Sequence, residues 1–499
     1  MIRAFLLLVL FCLFVPAAGA QSVRTDWREA IAQFADRLVA TDLTPGITIA
    51  VALDDRVEYV GGFGLADQET GRRTTPETAF YIASTTKSLT AFATALLAAQ
   101  GKIDLQAPIS AYLPELRLAE PLDPDLITVE DLLTLTHGIE DGGPVVTRTA
   151  YTGEFTSELL IDLLADYATS PTGRAFVYGN LGYNLLGLVL EARLGAGWKE
   201  IVEQQVLVPL GMTTTSAYVS RFDPNSLALP HGVTPQGYDR IRLGKTDATL
   251  HAAGGHFASA GDLARYVAVH QSGGILDGKR VFESEPILAT HHQHTDQARE
   301  FGPIHRFGWG YGWDLGTVDG DTLVHRFGSF AGYRSHVSFM PRHRIGVVVL
   351  VNGDGPASEA ADLLAFHAFD LLLGKPGVDS TYAARLDDMV RNTAVGRDRL
   401  AQSLLVRAGR QSPLERPLTD FAGTYENPTL GRMTFTVVGD RLEAAMGDAQ
   451  CAVEVFEAAT NRLRVELLGG GNVVLFVFPD GPGPADAAVM STAQFARVR

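Results

Sequence analysis

Residues 81–97 read "YIASTTKSLTAFATALL". Leu89, Phe92, Ala93, Leu96 and Leu97 fall at the i, i+3, i+4, i+7, i+8 spacing of one buried stripe, which predicts a helix here. Lys87 stands at its opening. The first turn of a helix carries roughly +0.5 of an elementary charge, so a cation there costs about 0.3–1 kcal/mol and calls for a reason. Ser84 lies three positions earlier, and residues three apart share a helix face, so the amine can reach the hydroxyl. It can then serve as, or assist, the base that removes the hydroxyl proton. A plainer reading makes Ser84 or Thr85 an N-cap with a surface lysine one turn later. What the rest of the chain supplies decides between the two.

The chain has 499 residues, 46% hydrophobic and 20% charged, an ordinary soluble composition too long for one small domain. Residues 1–20, "MIRAFLLLVLFCLFVPAAGA", place Arg3 before an apolar run and end on small residues, which predicts a secretory leader cut after Ala20 and a periplasmic or secreted protein. No later run of about 18 apolar residues suggests a membrane span. Cys12 lies in the leader, so Cys451 stands alone in the mature chain and no internal disulfide can form. The net charge of −16, with no lysine or arginine run, argues against a nucleic-acid partner.

Working outward from the helix, an amphipathic helix is predicted over 26–40, followed by a hairpin of strands 47–53 and 56–63 turning at Asp54-Asp55. The section from about 100 to 300 reads as helices and loops, clearest at "NLGYNLLGLVLEARLG", 180–195. Strands return at 335–340 and 345–351 around the turn "PRHR", and a helix over 357–373 follows. This order predicts an α+β fold: one antiparallel sheet flanked by helices, with a mainly helical insert, over 21–374. A helical connector over 375–415 leads to a small all-β sandwich or barrel over 416–499, where "GRMTFTVVGDRLEAAM" alternates.

Two further segments bear on Ser84. "FVYGNLGYNLLG" sets Tyr178 and Asn180 just ahead of a helix, and "VHRFGSFAGYRS", 324–335, leads into the strand pair with glycines at 328 and 332. Taken singly, these are a core aromatic, an N-cap and a turn. Together with Ser84-Thr85-Thr86-Lys87 they resemble the S-x-x-K, Y-x-N and K-T-G or H-x-G motifs of the serine β-lactamase and penicillin-recognising superfamily. The resemblance is to its class C β-lactamase-related branch, which includes esterases and D-amino-acid peptidases. "LLTLTHGI" (132–139), "PLGM" (209–212) and "GGHFASAGDLARY" (254–266) add to it, and it spans about residues 25–372. "FAGTYENPTLG" resembles the lipocalin-like β domain often appended to such enzymes.

The resemblance implies acyl transfer from an ester or amide, in a small molecule or peptide, to an enzyme serine, without cofactor or metal. Ser84 would attack, activated by Lys87 and Tyr178, and Tyr178 would return the proton to the leaving group. Asn180 would orient Lys87 and the substrate. The backbone N–H groups of Ser84 and of Ser329, just past Gly328, would form the oxyanion hole. In this family the third motif lies on an edge strand facing the site. There Arg326 replaces the usual lysine or histidine, with His325 beside it; strand neighbours point to opposite faces, so only one of the two can face the site. Arginine keeps the charge and can bind a carboxylate but cannot relay a proton at neutral pH.

No G-x-S-x-G elbow is present, which argues against an α/β-hydrolase. "HHQH" at 291–294 has no accompanying carboxylate motif for a metal, and His137 and His256 read as packing residues. The alternative to an enzyme is a penicillin-binding or cell-wall-binding protein that is acylated and deacylates slowly.

Overall fold

The computed structural model describes residues 25–140, 142–165, 173–410 and 414–498. The leader predicted over 1–20 therefore lies outside the described residues, as do positions 411–413 of the connector. Helix α1 (Trp27–Ala40) precedes the hairpin of β1 (Gly46–Leu53) and β2 (Arg56–Asp67), which turns at Asp54 with φ +54°. Helices α2 (Thr86–Ala99), α3 (Leu181–Leu194) and α4 (Ala260–Ser272) follow. Six further strands are β3 (Thr295–Phe301), β4 (Ile304–Trp309), β5 (Asp314–Val318), β6 (Asp321–Phe330), β7 (Tyr333–Met340) and β8 (Ile345–Val351). They join β1, β2 and the short strand Arg72–Arg73 in one antiparallel sheet, ordered β3-β4-β5-β6-β7-β8-β1-β2-(72–73).

The central strands are apolar on both faces because both are covered. On β1 and β8, Ile47, Ile49, Val51, Val347 and Val349 pack with α1, with α5 (Pro356–Leu372) and with the start of α6 (Val378–Ala408). Ala50, Ala52, Val348 and Leu350, one residue out of phase, pack with α2 and α4. A third cluster, centred on Leu132, Leu133, Tyr183, Leu186 and Trp309, forms the core of the helical insert. β5, β4 and β3 lie beyond β6 in the sheet, but β5 pairs with it only at 321–325, so the motif segment Arg326–Ser329 has no strand partner on that side. β3 and β4 are bulged at 296–299 and 306–308, so no clean two-residue alternation marks that hairpin in the sequence.

Beyond α6, nine short strands from Gly423–Asn427 to Ala493–Arg497 form a second antiparallel sheet, a nearly closed barrel around Phe421, Tyr425, Phe435 and Phe476. Its two outermost strands, Ala449–Ala452 and Glu454–Glu457, are separated in sequence by Val453 alone, so the sheet curls until its margins meet. No described helix is long and apolar enough to cross a membrane.

Candidate active site

Ser84 occupies a 3₁₀ turn, Ala83–Thr85, that runs straight into α2. The residue before it, Ala83, holds φ +43°, in the region that L-residues avoid. Both ends of the turn are tied down, by Ile82 N–H to His256 O (3.0 Å) and Thr85 N–H to Ile82 O (3.0 Å). Neither Ser84 nor Thr85 caps α2 through its side chain. Thr85 Oγ1 instead pairs with Ser335 Oγ on β7 at 2.8 Å, and the Ser335 hydroxyl also donates to Ile82 O at 3.0 Å. Gly328 on β6 lies so close that a Cβ there would meet Ile82 O at 2.0 Å. The nucleophile segment is thus seated directly on the sheet.

Lys87 is fully buried in the first turn of α2. Its Nζ donates to Ser84 Oγ (3.2 Å), Asn180 Oδ1 (2.6 Å) and Ala253 O (2.9 Å). Asn180 stands at the N-cap position of α3 but makes no side-chain cap; its carbonyl serves the lysine instead. Ala253 immediately precedes the "GGH" glycines, where a Cβ on Gly255 would come within 2.5 Å of His251 O.

Tyr178 reaches the same point because Val177 N–H donates to Leu135 O (3.1 Å), while Leu133 O takes hydrogen bonds from Tyr183 OH and Trp309 Nε1, both at 3.0 Å. As a residue Tyr178 is 39% exposed along the cleft, yet its hydroxyl end is enclosed by Ser84, Lys87 and Arg326. Burial pushes the phenol up. The charges of Arg326 and then Lys87, with hydrogen bonds to Ser84 and Lys87, outweigh it and hold the group below the ordinary tyrosine value of 10.0.

Of the two candidates on the motif strand, Arg326 faces the site. Its Nε donates to Ser84 O (3.1 Å), Nη1 to Asp314 Oδ2 (2.9 Å) and Nη2 to the Tyr178 hydroxyl. His325, named with it as a candidate, points to the opposite face, where it is fully buried with its ring 4.5 Å from that of Phe327. Burial and then Arg306 hold it well below the usual histidine range. Ser329 is exposed at the lip of the cleft. Sequence reasoning missed Asp314, which fixes Arg326 from β5, and no spacing in the sequence points to it. The histidines of "HHQH" lie elsewhere: His291 bonds His270 at 2.7 Å, and His294 stacks on Tyr311 at 3.8 Å.

Ser84, Tyr178, Arg326 and Ser329 line a cleft of about 610 Å³. A hydroxyl, a buried ammonium and a phenol of lowered pKa at one wall of a cleft are the parts of a nucleophile with its activating base.

A family model described as Beta-lactamase matches residues 31–370. A beta-lactamase of Pseudomonas fluorescens is 26% identical over 372 residues, covering 67% of this chain and 96% of that protein. Protein flp of Staphylococcus aureus (strain NCTC 8325 / PS 47) is 23% identical over 64% of this chain, which spans 62% of that relative's length. Among solved structures, the octameric penicillin-binding protein homologue from Pyrococcus abyssi shares the fold, with a TM-score of 0.59 and 23% identity over 94% of this chain and 99% of that one.

Proposed function

The chain belongs to the beta-lactamase family, and from that premise we propose that it is a serine hydrolase opening an ester or amide through an acyl-enzyme on Ser84. The observation that carries this reading is the convergence of Lys87 Nζ and the Tyr178 phenol on the Ser84 hydroxyl at the wall of a cleft. Tyr178, as phenolate, takes the Ser84 proton while Oγ bonds to the carbonyl carbon. The oxyanion is received by the N–H groups of Ser84 and Ser329. As the tetrahedral adduct collapses, the leaving group departs with the proton held by Tyr178. A water then repeats the sequence on the acyl carbon, with Tyr178 again as base, and releases the acid. Lys87 stays an ammonium, steadies the phenolate and is oriented by Asn180.

A panel of p-nitrophenyl esters, nitrocefin and D-amino-acid amides tests the reading. Wild type should turn over at least one class repeatedly, and Ser84→Ala should lose about 10³-fold or more in kcat while keeping its circular dichroism. Activity retained in that variant defeats the reading. A single stoichiometric acylation by nitrocefin, without turnover, would make the protein a slow-deacylating binder instead.

The sequence of residues 1–20 supports export, and an exported chain beginning at Gln21 is expected on N-terminal sequencing. We assign 21–374 to the hydrolase unit, 375–415 to the connector and 416–499 to the β domain; limited proteolysis should cut first within 375–415.

A further inference from the structure

Lys245 carries a charge that no described carboxylate answers. The residue is half-buried, and its Nζ donates to the carbonyl oxygens of Ala150 at 2.5 Å and Thr249 at 3.5 Å. Otherwise it faces rings: Nζ stands 3.8 Å from the centre of Phe330 and 5.0 Å from that of Tyr81. Asp448, in the barrel, takes the hydroxyl of neighbouring Thr246 at 2.5 Å, and Asp247 takes that of Ser220 at 2.6 Å. Burial of the Lys245 amine brings it down to about 7 from the ordinary 10.5. An ammonium over aromatic faces is held by the ring quadrupoles, most strongly where water is excluded.

The two rings are placed where the chemistry needs restraint. Phe330 directly follows Ser329 and ends β6, and Tyr81 precedes Ser84 by three residues, so one cation touches the chain beside both N–H groups assigned to the oxyanion. The rings of Phe330 and Tyr81 lie 5.6 Å apart, and Tyr151 closes on Phe330 at 5.1 Å. Ser329 must leave its N–H free and has no strand partner on the β5 side. β7 alone pairs with it, just ahead of a turn through Ala331 (φ +23°) and Gly332 (φ +80°). Of the titratable groups on the elements packed here, Tyr81, Tyr151 and Tyr333 are pushed above the ordinary tyrosine value by burial. His251 is held well below the histidine range by burial and then by Lys245 itself. Lys245 is thus the member of this cluster that changes charge near neutrality.

We propose that Lys245 is a positioning residue for the oxyanion hole: its ammonium, seated on Phe330 and Tyr81, fixes the spacing between the Ser84 turn and the Ser329 hairpin. The inference rests on the serine-hydrolase reading and adds the group that holds its two oxyanion donors in register. The protonated amine is the working form, so kcat should fall as pH rises through about 7.

The test compares Lys245→Met, which keeps the reach and drops the charge, with Lys245→Arg, on the p-nitrophenyl ester that wild type hydrolyses fastest. Lys245→Met should lose about tenfold or more in kcat with KM changed by less than about threefold, and should lose the falling limb near pH 7. Lys245→Arg should keep kcat within about threefold and carry that limb to higher pH, since a guanidinium stays charged. Phe330→Leu removes the ring under the cation and should behave as Lys245→Met does, and the double variant should be little slower than either. Circular dichroism checks folding in each, and Phe330→Leu decides alone should Lys245→Met not fold. Undiminished kcat in Lys245→Met or Phe330→Leu, equal losses in both Lys245 variants, or a falling limb unchanged in Lys245→Met overturns the proposal. Failure of the serine reading shows separately, as hydrolysis persisting in Ser84→Ala.

Discussion

Lys87 keeps a cation at a helix opening because its surroundings outweigh the helix end. A charge in the first turn costs about 0.3–1 kcal/mol, whereas a single hydrogen bond to a charged group contributes about 1.5–3 kcal/mol, and Nζ has three acceptors. Arg326 donates to the Tyr178 hydroxyl, and its charge holds the phenol down. Removing its charge in Arg326→Gln should raise the phenol pKa, so the rising limb of kcat/KM against pH should move alkaline by about 1–3 units. An unmoved limb would disconnect Arg326 from the base. At this scale Ser84, Lys87, Tyr178 and Asn180 were legible because each stands in a motif of fixed spacing. The choice between His325 and Arg326 was not, since strand neighbours alternate and only the pairing of β6 with its neighbours says which face is which. Asp314 was hidden altogether, its partner lying across a strand pair rather than along the chain.

At the level of elements, the site depends on how closely the 3₁₀ turn rests on β6 and β7. Gly328→Ala would drive a methyl group into the Ile82 carbonyl, a backbone atom with no rotamer to yield. Overpacking of this kind costs about 1–3 kcal/mol, so the variant should fold with a lower denaturation midpoint and react more slowly with a serine-directed fluorophosphonate. Wild-type labelling rates would show that the turn can move. Helices α1, α2, α3 and α5 were readable from the sequence, and β1, β7 and β8 from strand patterning beside turn residues, whereas α4 lay in the stretch read only as helices and loops. Strands β3 and β4 were not readable, because bulges and exposed polar residues on the outermost strand break the alternation that identifies a half-buried strand.

Across the whole molecule, buried histidines make the fold sensitive to acid. Burial holds His256 down to about 3, with Lys199 adding to it, and burial holds His137 at about 4, against an ordinary 6.5. The unfolded chain therefore binds more protons than the native one below pH 6.5. Their contribution is complete above that pH and is lost as pH falls toward 4 and then 3, at about 1.4 kcal/mol per unit for each histidine. The urea midpoint should decline steadily between pH 6.5 and 4.5; a flat profile would contradict the burial.

The acceptors of the Lys87 ammonium come from three distant segments: the 3₁₀ turn, the start of α3 in the helical insert, and the loop before α4. Turnover then requires the insert and the sheet to remain seated against each other, since any parting takes acceptors away from the Lys87 charge. Heat should silence the enzyme several degrees before ellipticity declines, and cooling within that interval should bring activity back.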